Sequence, residues 1–404
     1  MPDSKLSWSN LSPVRAWLTG IVLLAAACGT LPPNPGGKSA PSGPVVEPGR
    51  KPGDVLSFKE MKGAPTGSKA WRILYVSTGI DGRTVETSGV VVAPDVPNPL
   101  GGRPVVAWAH GTTGIEDDCA PSKAEHFFER IPHLSALIAL DYVVVATDYE
   151  GLGTPGIHPY LVGLSAARSV LDSVRAAANL KQAGAGRRFI AWGHSEGGHA
   201  ALFTGQRARD YAPELHLEGV AAIAPPTDLE VLLEDDLSER AGRILGAYAL
   251  WSWSQVYKAP LDLVVKPEFI PTIEKTARDC ILTEVEGFQI LVDSSYLPRD
   301  MLVDGAFAVD PWKGLIQENR PGQAPIPAPI YVAQGTDDDI VRPSVTGDFV
   351  KGLCASGATV RYDVLPGVDH FRSARVSATT AVQWMRDRFN GDKAPNTCVP
   401  PSYP

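Results

Sequence analysis

Short apolar runs alternate with amphipathic segments along most of the chain. Eight runs of five to seven residues have the length and the apolar composition of buried strands. They cover residues 70–76, 88–92, 104–109, 142–146, 188–192, 219–224, 329–333 and 359–365. Apolar residues recur at helical spacing over 164–178 and 345–353, and Gly391 stops a closing helix around 382–389. This alternation predicts an α/β fold, with a mostly parallel sheet covered by helices on both faces.

One block between Pro225 and about Ala328 interrupts this alternation. It shows helical periodicity and several aromatic side chains, and at roughly a hundred residues it is too long for a connecting loop. We therefore predict a helical cap at 229–324, inserted above the strand ends of a core domain. The core domain is formed by 55–228 and 325–404.

The N-terminal part of the chain differs from the rest. Lys5 and Arg15 carry positive charges near the N-terminus. A stretch of 12 apolar or small residues follows Arg15 and ends directly before Cys28. The stretch is too short to span a bilayer but fits a secretory signal, so we predict a signal peptide at 1–27. The sequence around Cys28 also resembles a bacterial lipobox. The chain is thus predicted to be exported, either as a lipoprotein attached to a membrane through acylated Cys28 or as a secreted protein, with a Pro/Gly-rich tether at 28–54.

Composition and charge indicate a globular protein and argue against nucleic-acid binding. Of the 404 residues, 44% are apolar and 20% are charged, which is typical of a soluble globular protein with a sizeable core. Lys and Arg number 37 against 45 Asp and Glu, for a net charge of −8, and no basic run occurs. The chain lacks the electrostatic signature of a nucleic-acid-binding protein. The sequence leaves the oligomeric state open.

Four cysteines remain when Cys28 is set aside, at positions 119, 280, 354 and 398. In an exported chain this even number predicts two disulfides, for which the sequence allows three pairings, with four buried thiols as the alternative. Neither a Cys-x-x-Cys nor a His-Glu-x-x-His spacing occurs. We therefore expect no metal site and no cofactor.

Residues 193–197 (GHSEG) match the pattern Gly-x-Ser-x-Gly. The motif directly follows the predicted strand 188–192 and directly precedes a helix-compatible run at 197–206, which is the setting of a nucleophile elbow. Such a turn lifts the serine oxygen out of the sheet and requires small residues at both glycines. The helix N-terminus beneath it favours developing negative charge. Ser195 is therefore the candidate nucleophile.

A serine hydroxyl needs a base, and in sites of this type the order along the chain is serine, acid, histidine. His370 lies beyond the candidate acids, in a loop predicted just after the strand 359–365. A base on this loop can reach the nucleophile. His194 and His199 flank the nucleophile in sequence, but from an elbow they are expected to point elsewhere.

The acid is expected after the strand 329–333, where residues 334–341 read QGTDDDIV. The pattern Gly-x-x-Asp-x-x-Val, common at this place in hydrolases with such an elbow, selects Asp338. It would fix the tautomer of the base and stabilise its charged form. Asp339 and Asp337 are the alternatives, and both are expected to be solvated or to cap a helix.

The tetrahedral intermediate of acyl transfer needs two N–H donors. One is the backbone N–H of Glu196, the residue after the nucleophile. The other is expected from the HGTTG loop after the strand 104–109. We assign this donor to Thr112, with Thr113 as the second choice, and expect His110 to be structural.

Taken together, these segments resemble the secretory lipase family of α/β-hydrolases, which includes fungal lipase A-type enzymes and secreted actinobacterial relatives. The segments are HGTTG, DYEGLG, GHSEGG, APPTDL, GTDDDIV and GVDHF, all within residues 70–390. The resemblance implies an α/β-hydrolase fold with a mobile lid. It implies the triad Ser195, Asp338 and His370, and the disulfides Cys119–Cys280 and Cys354–Cys398. Some relatives carry an acidic residue in the oxyanion loop, where this chain has two threonines.

The implied activity is hydrolysis of carboxylic esters, most readily acylglycerols or other lipidic esters, through an acyl-enzyme on Ser195. The expected partner is a lipid or small ester substrate. Two alternatives remain: a peptidase or acyltransferase that uses the same triad, and a non-catalytic surface lipoprotein that binds lipid in its cap. Trp251 and Trp253 are assigned to the packed core of the cap in preference to the wall of an acyl tunnel.

Overall fold

A computed structural model describes residue 46 and residues 48–234, 239–282, 290 and 294–398. In these residues, nine strands form one sheet in the order β1-β2-β3-β5-β4-β6-β7-β8-β9. The strands are β1 Val55–Met61, β2 Ser68–Thr78, β3 Thr84–Pro94, β4 Arg103–Ala109, β5 Val143–Thr147, β6 Ala185–His194, β7 His216–Ile223, β8 Ile330–Gly335 and β9 Val360–Leu365. The pairings from β1 to β5 along the sheet are antiparallel, and all those from β5 to β9 are parallel. The predicted α/β fold is confirmed.

Eight of these strands lie where the apolar runs predict them, and β1 is the strand that the sequence pattern missed. Four of its seven residues are exposed, including Phe58, Lys59 and Glu60. As the outermost strand it pairs with β2 along one side only. Such edge strands carry charged residues and therefore lack the continuous apolar run of a central strand.

Helices cover both faces of the sheet. Among the described residues, the α-helices are α1 Leu134–Ala139, α2 Gly163–Asn179, α3 Glu196–Tyr211, α4 Leu229–Glu234, α5 Arg240–Val256, α6 Ile270–Ala277, α7 Trp312–Glu318, α8 Pro343–Ala355 and α9 His370–Phe389. In β4, Val105 and Ala107 belong to the cluster that includes α2, α3 and α8. The alternate residues Val106 and Trp108 belong to the cluster that includes α1 and α9. This period of two means that each face of the sheet has its own core.

The chain between β7 and β8 forms α4 to α7, and their apolar side chains pack in a third cluster. Trp253 and Trp312 have no exposed surface and stack with their ring centroids 6.1 Å apart. Tyr160 and Leu161, which precede α2, belong to the same cluster. Trp253 therefore packs in the core of the cap, as predicted.

The predicted signal peptide, Cys28 and most of the predicted tether lie outside the described residues. Gly53 and Asp54, at the end of that tether, lie against the folded body. The Gly53 N–H donates to the Val76 oxygen, and the Val76 N–H donates to the Asp54 oxygen. The body thus begins slightly before the predicted residue 55. Within the described ranges, no helix is long and apolar enough to cross a membrane.

Two disulfides are present, with the pairing that the family resemblance implies. Cys119 is bonded to Cys280, and Cys354 to Cys398. The first bond joins the segment after β4 to the chain that follows α6 in the cap, across 161 residues of sequence. It therefore links the cap covalently to the loop region that carries the candidate oxyanion donor.

We expect the double variant Cys119→Ser/Cys280→Ser to lose about 2–5 kcal/mol of unfolding free energy, because the bond restricts the unfolded chain. Denaturant unfolding followed by circular dichroism measures this loss. The matched variant Cys354→Ser/Cys398→Ser opens a shorter loop, of 44 residues, so its loss should be smaller. Equal stability of the first variant and the wild type would contradict the expectation.

Candidate active site

Ser195 stands at a sharp turn between β6 and α3. Its φ of 57° lies in the left-handed region, which non-glycine residues adopt rarely and at a cost. A Cβ at Gly197 would lie 1.9 Å from the Ala109 oxygen, and a Cβ at Gly193 would lie 2.1 Å from the Gly197 oxygen. Both glycines are therefore required by close backbone contacts. The strand–turn–helix geometry predicted for a nucleophile elbow is present.

The structure brings Ser195, His370 and Asp338 together in one chain of hydrogen bonds. His370 Nε2 lies 2.9 Å from Ser195 Oγ, and His370 Nδ1 lies 2.8 Å from Asp338 Oδ2. All three residues are buried, whereas Asp337 and Asp339 are exposed. Because the ionised carboxylate accepts, Nδ1–H donates to it, and Nε2 is left to accept the serine hydroxyl proton.

Asp338 is held as a carboxylate by the groups around it. Burial alone would raise its pKa, but the hydrogen bond from His370 and those from Val341 N–H and Gln334 Nε2 bring the pKa below its usual value. Asp338 Oδ1 accepts the N–H groups of Ile340 and Val341 at 3.0 and 2.8 Å. The carboxylate is thereby fixed in position and orients the imidazole of His370.

His370 is the first residue of α9, not part of the loop in which the sequence placed it. Asp369 is the N-cap, and its side chain accepts the Arg372 N–H. The apolar spacing around 382–389 marks only the end of this helix, because the buried residues of its first turns are small or polar. The apolar periodicity therefore does not indicate where this helix begins, although the sequence contains an aspartate that can cap it.

His194 and His199 do not contact the Ser195 hydroxyl. His194 Nε2 donates to the His370 carbonyl oxygen at 2.9 Å, and burial together with the nearby His370 lowers the pKa of His194 to about 3. His199 is fully buried and donates from Nε2 to the Asn319 carbonyl oxygen. Burial lowers the pKa of His199 to about 4. Both imidazoles thus point away from the Ser195 hydroxyl, as expected from an elbow.

The loop after β4 lies beside the nucleophile. A Cβ at Gly111 would lie 3.6 Å from the Cβ of Ser195. Thr112 lines the cavity above Ser195, and its hydroxyl shares a 2.9 Å hydrogen bond with the Tyr160 hydroxyl. Thr113 is buried, and its carbonyl oxygen accepts the Ile281 N–H from the cap. Thr112 and Thr113 thus both line the cavity in the loop beside Ser195.

The side chain of Glu196 is a feature that sequence analysis missed. The sequence points to Glu196 only through its backbone N–H, and in the structure this residue begins α3. Its carboxyl group is buried as well, and its Oε1 lies 2.7 Å from Nε2 of the buried His158. No motif links residues 158 and 196, so the sequence carried no signal for this pair. Glu150 Oε2 accepts the Ile80 N–H and the Ser165 hydroxyl, and thus orders the loops around it.

A cavity of about 700 Å³ opens above Ser195 and His370. Most of its walls are apolar. The cap contributes Ala241, Ile244, Leu245, Ile281 and Ile290, and the core contributes Trp108, Phe127, Pro132, Ile340 and Phe371. The polar residues His126, Glu129, Arg130 and Arg375 also line it. Nowhere in the described ranges do His, Cys, Asp and Glu side chains form a cluster that could hold a metal ion.

Known proteins resemble this chain in sequence and in fold. The chain is 24% identical to the secreted triacylglycerol lipase LIP7 of Malassezia globosa, over 87% of this chain and 78% of that protein. It is also 24% identical to the probable inactive lipase MT1628 of Mycobacterium tuberculosis, over 87% of this chain and 82% of that protein. The crystal structure of Candida antarctica lipase A in its closed state superposes with a TM-score of 0.70 at 17% identity, covering 87% and 85% of the two chains. The α/β-hydrolase fold is therefore confirmed.

The family model for secretory lipases matches residues 129–397, well over half of the chain. The match includes Ser195, Asp338 and His370 and the strands β5 to β9, whereas β1 to β4 precede it. The chain belongs to the secretory lipase family.

Proposed function

We propose that this protein hydrolyses carboxylic esters, with Ser195, His370 and Asp338 as its catalytic triad. The observation that carries the proposal is the hydrogen-bonded chain from Asp338 through His370 to Ser195. Ser195 lies at a strained elbow, and Ser195 and His370 line a largely apolar cavity. One relative is named a probable inactive lipase. Support for activity therefore comes from these three side chains, more than from the family alone.

The reaction proceeds in two acyl transfers. Ser195 Oγ attacks the ester carbonyl while His370 Nε2 accepts its proton. The protonated imidazole then gives this proton to the leaving alcohol oxygen as the C–O bond breaks. Water attacks the acyl-enzyme by the same route, and His370 returns a proton to Ser195. Asp338 stabilises the imidazolium throughout, because its carboxylate accepts Nδ1–H.

Two backbone N–H groups are proposed to bind the oxyanion of each tetrahedral intermediate. Glu196 supplies one, at the N-terminus of α3, where helix N–H groups lack partners within the helix. Thr112 supplies the other. Nowhere in the described part of the chain does a group accept a hydrogen bond from the Thr112 N–H, so it is available to a substrate.

The cavity supports an apolar acyl group as the part of the substrate bound beside Ser195. A volume of about 700 Å³ with aliphatic and aromatic walls would bind a long hydrocarbon chain through apolar surface burial. A matching relative carries the name secreted triacylglycerol lipase. We propose lipidic esters as the substrate class, and export of the chain through the predicted signal peptide, with Cys28 as the acylated anchor.

A series of p-nitrophenyl esters from two to sixteen acyl carbons tests the substrate class. We expect kcat/KM to rise with acyl length for the wild type, since each buried methylene contributes about 0.8 kcal/mol. The Ser195→Ala variant provides the background rate. A serine-dependent rate confined to the shortest esters would contradict the lipidic substrate and leave a general esterase. A protein that cleaves an anilide but no ester would favour the peptidase alternative.

A further inference from the structure

A short segment from His158 to Tyr160 connects the cap to the catalytic centre. Ser252 of α5 donates its hydroxyl proton to the His158 carbonyl oxygen at 2.7 Å, and the Tyr160 N–H donates to the Ser252 oxygen at 3.0 Å. Trp253 Nε1–H donates to the Tyr160 carbonyl oxygen at 2.9 Å. All four side chains are buried. Three hydrogen bonds thus attach the segment to one turn of the cap helix.

The His158 side chain points to the other side of this segment, toward the helix that follows the nucleophile. His158 Nδ1 donates to the Glu150 carbonyl oxygen at 2.9 Å, and the Tyr149 ring stacks on the imidazole. Because a carbonyl oxygen can only accept, His158 Nδ1 carries a proton. A second proton lies in the hydrogen bond between His158 Nε2 and Glu196 Oε1. The buried carboxyl group of Glu196 is thereby tied to the segment that the cap holds.

The Tyr160 side chain reaches the oxyanion loop. Its hydroxyl lies 2.9 Å from Thr112 Oγ1, and 2% of the residue is exposed. Burial raises the pKa of this phenol, so it stays protonated. Thr112 lies outside any strand or helix, and among the described residues neither its N–H nor its C=O is bonded to another backbone group. The Tyr160 hydroxyl is therefore the hydrogen-bond partner that holds Thr112.

We propose that Tyr160 and His158 are positioning residues for the oxyanion hole and that Ser252 of the cap sets their placement. This inference rests on the proposed function, in which Thr112 and Glu196 supply the two donors. Oxyanion stabilisation requires donors that are held in place before the charge develops. Tyr160 holds the loop donor, and His158 contacts the residue that carries the helix donor. Since both are attached to Ser252, the position of cap helix α5 is coupled to transition-state stabilisation.

The test compares Tyr160→Phe and Ser252→Ala with two matched control variants. Tyr257→Phe removes a hydroxyl that accepts from Asn319 Nδ2 in the same cap, and Ser254→Ala removes a hydroxyl that donates within α5. The assay measures kcat and KM on p-nitrophenyl butyrate. It also measures the inhibition constant of a trifluoromethyl ketone, whose serine adduct places an oxyanion in the hole.

We expect Tyr160→Phe and Ser252→Ala to lower kcat about tenfold, less than the loss of a whole donor. KM should stay within about twofold, and binding of the trifluoromethyl ketone should weaken by the same factor as kcat. Both control variants should retain wild-type kcat. Thr112→Val removes the same hydrogen bond from the other side, and combining it with Tyr160→Phe should add no further loss.

Three results would overturn the inference. They are a wild-type kcat in Tyr160→Phe, an effect on KM alone, or an equal loss in the control variants. If Tyr160→Phe fails to fold, Thr112→Val tests the same hydrogen bond. An unchanged kcat and unchanged ketone binding in Thr112→Val would exclude the positioning role of Tyr160. Failure of the proposed function itself is distinguishable, since Ser195→Ala would then keep the activity measured in the same assay.

Discussion

Replacing Ser195 with alanine is expected to reduce ester hydrolysis by about 10⁴- to 10⁶-fold, because the acyl-enzyme can no longer form. The overall fold should be retained. Ser195 is held at the elbow by its own N–H, which donates to the Ile223 oxygen, and that bond does not involve the hydroxyl. Alanine also removes the buried hydroxyl without adding volume. Initial rates on a soluble p-nitrophenyl ester and a thermal unfolding curve measure the two effects.

Ser122→Ala is a suitable control for the loss of a buried serine hydroxyl elsewhere. Ser122 Oγ donates to Asp148, in a cluster that does not include His370. We expect it to affect stability and to leave a substantial share of the activity. Residual turnover of Ser195→Ala within about tenfold of the wild type would rule out Ser195 as the nucleophile.

Replacing Asp338 with asparagine is expected to lower kcat by about 10⁴-fold. The asparagine oxygen can still accept the N–H groups of Ile340 and Val341, so these two loop hydrogen bonds are kept, while the bond from Gln334 Nε2 to Oδ2 is lost. Its amide group would then face His370 Nδ1 as a donor, which forces the proton to Nε2. The imidazole would be in the wrong tautomer to accept the Ser195 proton.

The neighbouring aspartates provide matched controls for this change. Asp337 and Asp339 are exposed, and the same substitution there removes one surface charge each. Asp337→Asn and Asp339→Asn should keep kcat within about threefold of the wild type, as surface changes generally do. A large loss in Asp339→Asn with an active Asp338→Asn would transfer the role of the acid to Asp339.

The pattern of the chain was sufficient for the architecture because the central strands are buried on both faces. Such strands must be continuous apolar runs, and all residues of β5 are indeed buried. The edge strand β1 carries no such run and was missed. The start of α9 was missed for a related reason, since its first turn is recognised by the Asp369 cap and not by apolar spacing.

The parts of the candidate site that depend on residues close together in sequence, or on the order of the strands, could be predicted. The elbow is a local feature, since Gly193 and Gly197 are required within a few residues of Ser195. His370 and Asp338 follow from chain order and from the position of the strand ends. The contacts of His158 with Glu196 and of Tyr160 with Thr112 join residues 38 and 48 positions apart through side chains alone. No periodicity or motif encodes them, so only the folded arrangement reveals them.

The most direct test of the central claim is to trap the acyl group on the protein. The wild type is mixed with a p-nitrophenyl ester, quenched in acid within the first turnovers, digested and analysed by mass spectrometry. We predict that the peptide containing Ser195 gains the mass of the acyl group, and that Ser195→Ala shows no such adduct. An acyl group on another residue, or hydrolysis with no covalent adduct at any time before steady state, would contradict the account.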